Sequence, residues 1–433
     1  MKFALDRIFR RFITLGSLGV RWPDGTMSRY GRQGAEPSAA MHLADAATIR
    51  RLLLNPALAV GETYMNGTLI PEGCGIYDVL DVLISNLEVN GPRHPLAHLM
   101  HRLTVLRRRL DQYNPAPRAQ ANVAHHYDLN GRLYSLFLDR DRQYSCAYFP
   151  RGTETLEEAQ LAKKLHIAAK LKLDRPDLTV LDIGCGWGGM ALTLARDFGA
   201  RVTGITLSQE QLAEARARAE AEGLADRVRF ELMDYRALDQ RFDRVVSVGM
   251  FEHVGVDHYA TFFRTLSRVL APDGLALLHA IGRSDPPGST NPWITKYIFP
   301  GGYCPALSEV LAPIERSGLT TTDIEILRLH YAETLRHWRR RFAANRDAIA
   351  ALYDERFCRM FEFYLCGSEL AFRRQRQMVF QIQLGHGVEA APLTRDYITD
   401  TERAQAPKLS SIGTVNSGAF SADPVGLSRS AEK

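Results

Sequence analysis

The central part of the chain alternates between short apolar runs and longer amphipathic stretches. Runs of strand length follow one another with helix-like segments between them: TVLDIG, RVTGITL, VRFEL, FDRVVSV and GLALLHAIG. Near-continuous apolar runs separated by helices are typical of a parallel sheet that is covered on both faces. The pattern from about His125 to Gly385 therefore predicts an α/β fold with a mostly parallel sheet.

The flanks of this region follow other patterns. Residues 1–105 mix strand-like and helical runs with turn signals such as Pro23-Asp24-Gly25, which suggests a separate, smaller α+β domain. Residues 106–121 are polar and contain two prolines, so they are interpreted as a linker, and the α/β domain is assigned to residues 122–385. Residues 386–433 show little hydrophobic periodicity, and much of this tail is predicted to be disordered.

The first helix has two possible environments. In MKFALDRIFRRFITLGSL, the side chains of Leu5, Ile8, Phe9 and Phe12 share one face and basic residues occupy the other. Such a helix can lie on an anionic membrane surface. It can equally cover a protein core and expose its basic side to water, and the sequence alone slightly favours this second interpretation.

Composition narrows the class of protein. The chain has 433 residues, of which 45% are hydrophobic and 24% charged, as in an ordinary globular protein. No apolar run approaches the roughly 20 residues that span a bilayer. The six cysteines form no CxxC pair and no cluster with metal-ligand spacing. We therefore expect no metal site, no disulfide framework and a reducing, cytoplasmic environment.

Arginine is unevenly distributed, although the net charge is only +5. Three clusters occur: Arg102, Arg107, Arg108 and Arg109; Arg336, Arg339, Arg340 and Arg341; and Arg373, Arg374 and Arg376. Clusters of this kind can attract the phosphates of lipids or nucleic acids, or can simply be solvated helix faces. They favour an anionic partner without identifying it.

A glycine-rich turn follows the first of the central strands. Asp182, Gly184, Gly186 and Gly188 form the pattern D-x-G-x-G-x-G in front of a helix. Glycines let a ligand approach the backbone, and the helix N-terminus offers N–H groups. Glycine loops alone are a weak signal, but this spacing and Asp182 favour S-adenosylmethionine (SAM) over a dinucleotide.

The ends of the next two strands supply further candidate ligands of the cofactor. Dinucleotide sites usually have an acidic residue after the second strand, whereas this chain has hydroxyl and amide groups there. The candidates are Thr206, Leu207, Ser208 and Gln211 after the second strand, and Asp234 and Tyr235 after the third. Ser208 is also a suitable helix N-cap and Asp234 a common turn residue, so each has a structural alternative.

Polar side chains near the later strands are candidates for chemistry. Glu252 and His253 follow the fourth strand, where α/β enzymes place their active sites, and His279 interrupts the fifth. Buried polar pairs and lone histidines are, however, often satisfied core groups. Cys146, in QYSCAYF, has several possible roles at this stage: nucleophile, metal ligand, half of a disulfide, or a small residue packed among rings.

A set of motifs occurs along the chain in one order: YSCAYF, VLDIGCGWGG, GITLSQEQ, SVGMFEHVG, HAIG, WITKYIFPGGYCPAL and HYAETLRHW. Together they resemble the cyclopropane-fatty-acyl-phospholipid synthase family over about Asn122 to Gly385, and the related mycolic acid enzymes share much of the pattern. The resemblance implies a class I SAM-dependent methyltransferase: a Rossmann-like, mostly parallel seven-stranded sheet with helical insertions that bind the acyl chain. LAVGETYMNG resembles the smaller N-terminal domain of the phospholipid enzymes, which implies a lipid-binding or dimerisation role for that domain.

The resemblance also implies a reaction. The family transfers the methyl carbon of SAM to the cis double bond of an unsaturated fatty acyl chain and closes a cyclopropane ring, with bicarbonate as the base. By motif match, the bicarbonate ligands are Cys146, Glu252, His279, the backbone of Ile281, and Tyr331, and the cofactor site also includes Tyr144 and Ser145. Aromatic residues that can exclude water from the acyl pocket are Trp293, Tyr297, Phe299 and Phe363.

The implied partner is an unsaturated phospholipid at the inner face of the cell membrane, which a peripheral, homodimeric enzyme would visit. Alternatives remain: a SAM methyltransferase that makes a methyl-branched or methylene lipid, or that methylates a small amine, and a lipid-binding protein without activity. Nucleic acid is not an expected partner, because the chain has no NPPY-like motif and no RNA-binding module.

Overall fold

The computed structural model describes residues 1–90 and 131–414, the last nine of them by backbone only. The segment interpreted as a linker, with its boundaries at residues 105 and 122, lies outside these residues.

The N-terminal part is a small α+β unit. Its four strands form a sheet in the order β2-β1-β3-β4, in which β1 and β3 are parallel and the outer pairs are antiparallel. The elements are α1 (Lys2–Phe12), β1 (Ser17–Arg21), β2 (Met27–Gly31), β3 (Ser38–Leu43), α2 (Ala46–Leu54), α3 (Pro56–Met65), β4 (Leu69–Pro71) and α4 (Ile76–Asn90). Leu18 and Val20 of β1 and Trp22 directly after it are fully buried, because alternate positions of an extended chain face the same side of the sheet.

The larger part contains a seven-stranded sheet in the order β10-β11-β9-β8-β5-β6-β7. Strands β5 to β9 are mutually parallel, and β11 and β10 add an antiparallel edge. The strands are β5 (Thr179–Ile183), β6 (Arg201–Thr206), β7 (Val228–Leu232), β8 (Phe242–Val248), β9 (Leu270–Arg283), β10 (Thr320–Leu327) and β11 (Gln377–Gly385). The prediction of a mostly parallel seven-stranded sheet is confirmed.

Helices cover the sheet and extend from its carboxyl edge. They are α5 (Gly131–Phe137), α6 (Leu156–Lys170), α7 (Gly189–Phe198), α8 (Gln209–Ala221), α9 (Tyr259–Val269), α10 (Pro292–Tyr297), α11 (Leu307–Glu315), α12 (His330–Ala344), α13 (Arg346–Leu352), α14 (Glu355–Arg374) and α15 (Asp396–Thr414). α6 begins at a capping box, in which the Glu158 carboxylate accepts the Thr155 N–H at 2.8 Å and Thr155 Oγ1 accepts the Glu158 N–H at 3.3 Å. These bonds satisfy N–H groups that the first turn of a helix leaves free.

An aromatic layer joins the helices near the carboxyl edge of the sheet. Tyr144 stacks on Trp338 of α12 with ring centroids 5.1 Å apart, and Trp293 of α10 meets Phe363 of α14 at 4.6 Å. Such pairs contribute about 0.5–1.5 kcal/mol each beyond the burial of their surface. The layer therefore holds together segments that lie far apart in the chain.

The N-terminal unit packs directly on α10. Gly61 of α3 lies so close to Trp293 that a β-carbon at position 61 would be 2.4 Å from the indole nitrogen. The neighbouring Glu62 carboxylate accepts hydrogen bonds from Lys296 Nζ at 2.6 Å and from the Tyr297 hydroxyl at 2.8 Å. The two units thus share one packed interface next to the aromatic layer.

The first helix covers a core, as the favoured interpretation predicted. Leu5 and Phe9 of α1 are buried, whereas Ile8 on the supposed apolar face is 39% exposed and Phe3 is 77% exposed. The basic side of α1 faces water, and the exposed ring of Phe3 lies on this side as well. Among the described residues, no helix has the length and apolar character needed to cross a bilayer.

The prediction of a disordered tail is wrong for α15. This helix packs on α6, where the Glu402 carboxylate lies 2.6 Å from His166 Nδ1, and the Tyr397 hydroxyl accepts a hydrogen bond from Gln383 at 2.7 Å. Polar contacts, with Ile398 as a buried apolar anchor, hold this helix in place. Hydrophobic periodicity, the signal on which the prediction depended, is therefore weak here.

The described arginines of the later clusters mostly pair with carboxylates of the same chain. The pairs include Arg339–Glu369 at 3.0 Å, Arg341–Glu157 at 2.6 Å, Arg373–Glu333 at 2.7 Å and Arg374–Asp81 at 3.0 Å. These arginines tie helices together, so their clustering in sequence is no argument for a phosphate-binding surface. The first cluster lies outside the described residues.

Candidate functional site

A cleft opens where the parallel strands β5, β6, β7 and β8 end. Most predicted cofactor residues line it: Tyr144, Ser145, Asp182, Gly184, Gly186, Thr206, Leu207, Gln211, Asp234 and Tyr235. The two other predicted residues, Gly188 and Ser208, do not line the cleft. The carboxyl ends of parallel strands meet at one edge of a sheet, which explains why residues from four strand ends converge.

The glycine turn needs glycine for stereochemical reasons. Gly184 has a φ of +83° and Gly188 a φ of +84°, which side chains rarely adopt. A β-carbon at Gly188 would also lie 2.6 Å from the ring of Phe230. Gly188 therefore serves as the N-cap of α7 and packs against Phe230, whereas Gly184 and Gly186 line the cleft.

Asp182 is the most unusual group at the cofactor end of the cleft. It is 2% exposed, and its Oδ2 atom has no hydrogen-bond partner in the described part of the chain. Burial raises the pKa of this carboxyl to about 7, and the nearby Lys163 ammonium opposes that rise. An unpaired buried carboxylate oxygen on a cleft wall is suited to a ligand that brings a donor or a positive charge.

The polar residues after β6 are organised by one another. The Thr206 hydroxyl donates to Gln211 Oε1 at 3.0 Å and accepts the Ser208 N–H at 3.2 Å. Ser208 Oγ accepts the Gln211 N–H at 3.3 Å, so Ser208 caps α8, as its structural alternative predicted. Thr206 and Gln211 line the cleft, and Ser208 acts behind them.

Asp234 combines the two roles considered for it. It lines the cleft, but its carboxylate also forms a two-point ion pair with Arg236, at 2.8 and 2.6 Å. Burial raises the pKa of Asp234, and the Arg236 contacts outweigh it, so the pKa is lowered. Tyr235 beside it packs edge-to-face on Phe262 at 5.3 Å. An ionised carboxylate beside a fixed ring can bind a ribose hydroxyl and an adenine.

Sequence reasoning missed several residues that line the cleft. Arg142, Gln143, Cys185, Trp187, Arg236, Gly249, Met250 and Val254 are among them, and His253, which was predicted as a candidate for chemistry, also lines the cleft. Gly249 and Met250 directly follow β8, so the rule that ligands bind at strand ends was a usable signal. Gln143 is the first residue of QYSCAYF and directly precedes the family motif YSCAYF, whereas no local signal marked Arg142, whose φ is +53°.

Glu252 lies just beyond the cofactor cleft, in a short 3₁₀ turn after β8. Its Oε1 atom accepts the Ile281 N–H at 2.6 Å, while Oε2 is buried and has no hydrogen-bond partner in the described structure. Burial raises the pKa of Glu252 to about 7, and the bond from Ile281 opposes that rise. If β8 continued beside β9, a backbone carbonyl of β8 would accept the Ile281 N–H. The Glu252 carboxylate accepts that N–H instead.

The predicted role of the Ile281 backbone changes as a result. Its N–H is already donated to Glu252, so this N–H orients the carboxylate and is not free for an anion. The N–H and C=O of one residue in a strand point to the same side, so the Ile281 carbonyl also faces this end of the cleft.

His279 lies on β9 and is 2% exposed. Burial lowers its pKa well below the ordinary range, so the imidazole is neutral. The Gln381 side-chain amide lies 3.1 Å from Nδ1. With Gln381 donating to Nδ1, the ring proton lies on Nε2 and is available as a donor.

Cys146 and Tyr331 belong to the same buried cluster beside the cleft. All six cysteines are free thiols. Cys146 is 1% exposed, and burial raises its pKa, which is opposite to what a thiolate nucleophile requires. Tyr331 is 7% exposed, with its ring 5.7 Å from Trp338 and 4.9 Å from Phe372. Neutral hydrogen-bonding side chains thus lie within an aromatic environment.

The predicted aromatic residues surround this region. Trp293 is buried, and Tyr297, Phe299 and Phe363 are half-buried in the same cluster as Cys146 and Tyr331. Phe299 lies 6.0 Å from His253, which lines the cofactor cleft, and 5.8 Å from Tyr364. The apolar layer therefore reaches the cleft where its polar wall ends.

Comparisons with known proteins agree with this architecture. The family model described as mycolic acid cyclopropane synthetase matches residues 115–382, and a domain of unknown function (DUF7884) matches residues 4–89. The chain is 40% identical to the cyclopropane-fatty-acyl-phospholipid synthase of Escherichia coli K12, over 78% of this chain and 86% of that protein. It is 44% identical to a probable fatty acid methyltransferase of Pseudomonas putida, over 58% of this chain and 66% of that protein.

A solved structure gives the same result. The mycolic acid cyclopropane synthase CmaA1, complexed with SAH and CTAB, matches with a TM-score of 0.58 and 35% identity, over 63% of this chain and 99% of that chain.

Proposed function

Because the chain belongs to the mycolic acid cyclopropane synthetase family, we propose that it transfers the methyl carbon of SAM to the cis double bond of unsaturated phospholipid acyl chains and closes a cyclopropane ring. The chain is a SAM-dependent methyltransferase of this family. The observation that carries the finer proposal is the Oε2 atom of Glu252, which is buried and has no hydrogen-bond partner among the described residues, while Phe299 of the aromatic cluster lies 6.0 Å from the adjacent His253. Such an atom is suited to hold a small protonated base at the reaction centre.

The cofactor end fits SAM, which supplies an electrophilic methyl group when bound. Asp182 Oδ2, which is buried and has no hydrogen-bond partner among the described residues, would accept a hydrogen bond from the cofactor's ammonium group. Asp234 and Tyr235 would hold the ribose and the adenine, and the turn at Gly184 and Gly186 lets the ligand approach the backbone closely. Together these residues would hold the cofactor in one orientation in the cleft, next to the apolar layer.

The acceptor end fits bicarbonate, which would supply the base that removes a proton from the transferred methyl group. Glu252 Oε2 would accept the O–H of this anion, and the Ile281 N–H holds the other carboxylate oxygen in place. His279 would donate from Nε2, while Cys146 and Tyr331 complete the set of neutral groups around the anion. Every one of these side chains is buried, so the base would act away from bulk water.

The aromatic layer has a separate task. A cation develops on the acyl chain after methyl transfer, and aromatic faces stabilise cations. Trp293, Phe299 and Phe363 would line the acyl chain and exclude water, which would otherwise capture the cation as an alcohol.

The test uses vesicles of mono-unsaturated phospholipid with SAM and bicarbonate. We expect the acyl chains to gain the mass of one CH2 and to show upfield cyclopropane protons in NMR spectra. A gain without ring protons would establish a methyl-branched or methylene product. A bound cofactor without any change in the lipid would refute the lipid substrate.

A second substrate form is favoured by one comparison. The Pseudomonas putida relative is named for action on fatty acids, not on phospholipids. Free unsaturated fatty acid, offered in place of the vesicles, therefore serves as the parallel assay. Faster turnover of the free acid would transfer the proposal to that substrate.

Docking on a membrane follows from the proposed substrate. The exposed side of α1 carries Phe3 and Ile8 together with Arg7 and Arg11, an arrangement suited to an anionic bilayer. Phe3→Ser should weaken co-sedimentation with anionic vesicles and leave cofactor binding unchanged. Equal sedimentation of variant and wild type would exclude α1 as the contact. A homodimer is proposed as well, and sedimentation equilibrium tests it.

A further inference from the structure

Helix α6 contains two lysines whose side chains are completely buried. Lys163 and Lys170 are each 0% exposed and lie seven residues apart, on one face of the helix. Taking an ammonium group out of water costs several kcal/mol unless other groups compensate. The two side chains can therefore be compared by what surrounds each charge.

Lys170 is neutralised within the fold. Its Nζ atom contacts the Glu325 carboxylate directly and lies 3.4 Å from Asp323. Glu325 is also bound to His166, which in turn contacts Glu402 of α15. This charge belongs to a closed ion-pair network between α6, β10 and α15.

Lys163 is held differently. Its Nζ atom donates to Gln143 Oε1 at 2.5 Å and to Ser145 Oγ at 2.9 Å, both neutral acceptors. In the part of the chain that the structure describes, no carboxylate forms an ion pair with Lys163. The charges of Asp139 and Asp141 act on it from beyond ion-pair distance, and Asp141 is bound to Lys164 and Arg218. Burial and the neighbouring Lys164 charge lower the pKa of this ammonium to about 8, so Lys163 is charged at neutral pH without an ion-pair partner among the described residues.

The position of this charge is informative. Ser145, which it holds, lines the cofactor cleft, and the next residue is Cys146 of the proposed anion pocket. The Lys163 charge also acts on Asp182, Cys146 and His279, lowering the pKa of each, in opposition to burial at the first two. One buried cation thus influences both ends of the cleft.

The proposed reaction needs such a charge. The side chains that would surround bicarbonate include one carboxylate, Glu252, and otherwise neutral groups, so two negative charges would meet in a water-free pocket. The sulfonium of SAM would balance one of them, and this positive charge would pass with the methyl group to the acyl chain until a proton neutralises the bicarbonate. One negative charge would thus stay unbalanced at every stage, and a second positive charge is required for the pocket to stay close to neutral.

We propose that Lys163 is a positioning residue that holds the Ser145–Cys146 segment and supplies the positive charge that lets an anionic base bind beside Glu252. This inference rests on the proposed function, specifically on bicarbonate as the base. It assigns a role to a residue that does not touch the reacting atoms.

The experiment measures the bicarbonate concentration that gives half-maximal activity, in CO2-depleted buffer at saturating SAM. For Lys163→Met we expect this concentration to rise by on the order of tenfold, the size of a charge–charge interaction across roughly 10 Å at an effective dielectric constant of about 20. SAM carries a net positive charge, so its affinity, measured by calorimetry, should stay equal or become tighter. Lys163→Arg, which keeps the charge, should restore much of the bicarbonate response.

Lys170→Met is the matched control, because it removes an equally buried ammonium from the same helix. It should lower the melting temperature and change the half-maximal bicarbonate concentration far less than Lys163→Met, because the Lys170 charge acts on His279 but is paired with Glu325. If Lys163→Met does not fold, Lys163→Gln tests the same point, since its amide can still bond to Ser145 without a charge.

Each outcome decides the matter. A folded Lys163→Met or Lys163→Gln with an unchanged bicarbonate response overturns the role of the charge. Equal weakening of bicarbonate and SAM binding would reduce Lys163 to a structural support of the loop. A wild-type enzyme that shows no response to bicarbonate would refute the proposed base itself, and the inference with it.

Discussion

The two ends of the cleft are built in different ways. At the cofactor end, the ligand-facing residues come from consecutive strand–helix units, and most of their polar groups are bonded to near neighbours, as in Asp234–Arg236 and Thr206–Gln211. The residues proposed for the acceptor end, Cys146, Glu252, His279 and Tyr331, come from segments far apart in the chain and are all buried. The difference teaches that local sequence builds the first end, whereas the second can form only through tertiary packing, against the cost of buried polar groups.

The largest effect is expected from Glu252→Gln. The amide oxygen can keep the bond from the Ile281 N–H, but the amide nitrogen cannot accept an O–H, so the proposed base loses its orientation. Product formation should fall by about 10²–10⁴-fold, the usual contribution of a positioned acid or base. SAM affinity should hardly change, which calorimetry checks. Comparable losses of activity and SAM affinity would show that the two ends are not separate.

Asp182→Asn tests the opposite end. It should weaken SAM binding by about 10- to 100-fold, the contribution of a hydrogen bond between charged groups. Because burial raises the pKa of Asp182 to about 7, wild-type SAM affinity should increase between pH 5.5 and 7.5 as the carboxyl ionises. The variant should lack this increase. A variant that retains the full pH dependence would show that another group binds the cofactor ammonium.

Gly61→Ala tests whether the acceptor end depends on the N-terminal unit. A β-carbon at this position would lie 2.4 Å from the indole nitrogen of Trp293, and overpacking of this kind costs about 1–3 kcal/mol. We expect a lower melting temperature and a higher KM for the lipid, with unchanged SAM affinity.

The matched control is Gly367→Ala, at a position in α14 where a β-carbon would meet no atom within 4 Å. It should leave the lipid KM unchanged and stabilise the fold by about 0.5–1 kcal/mol. An equal effect of both substitutions on the lipid KM would remove the interface as the cause.

The smallest effect concerns stability and pH. An unfolded glutamate ionises near pH 4.3, whereas burial raises the pKa of folded Glu252 to about 7. The folded state therefore binds the proton more tightly, and this group lowers stability as the pH rises towards 7. Glu252→Gln should be more stable than wild type, and the gap in unfolding free energy should widen by about 1 kcal/mol between pH 6 and 8. Denaturant titrations at both values measure it, and a constant gap would contradict the raised pKa.

Much of the fold was available from the sequence. The apolar runs fixed five parallel strands, and the glycines after β5 located the cofactor cleft, because these signals depend on neighbouring residues. The polar tail shows the limit of such reasoning. The helix α15 is held mainly by partners such as His166 and Gln383, which lie far away in the chain, so no local sequence pattern predicted this helix.

The sequence by itself therefore determined the sheet, the cofactor turn and, through its motifs, the family, since each depends on short-range order and residue type. Only the tertiary structure decided which groups are left without partners. In the folded protein the Ile281 N–H donates to Glu252, and most of the described clustered arginines pair with carboxylates. Glu325 neutralises Lys170, whereas no carboxylate among the described residues forms an ion pair with Lys163. The physical reason is that burial and charge balance depend on distances between segments that are remote in the chain.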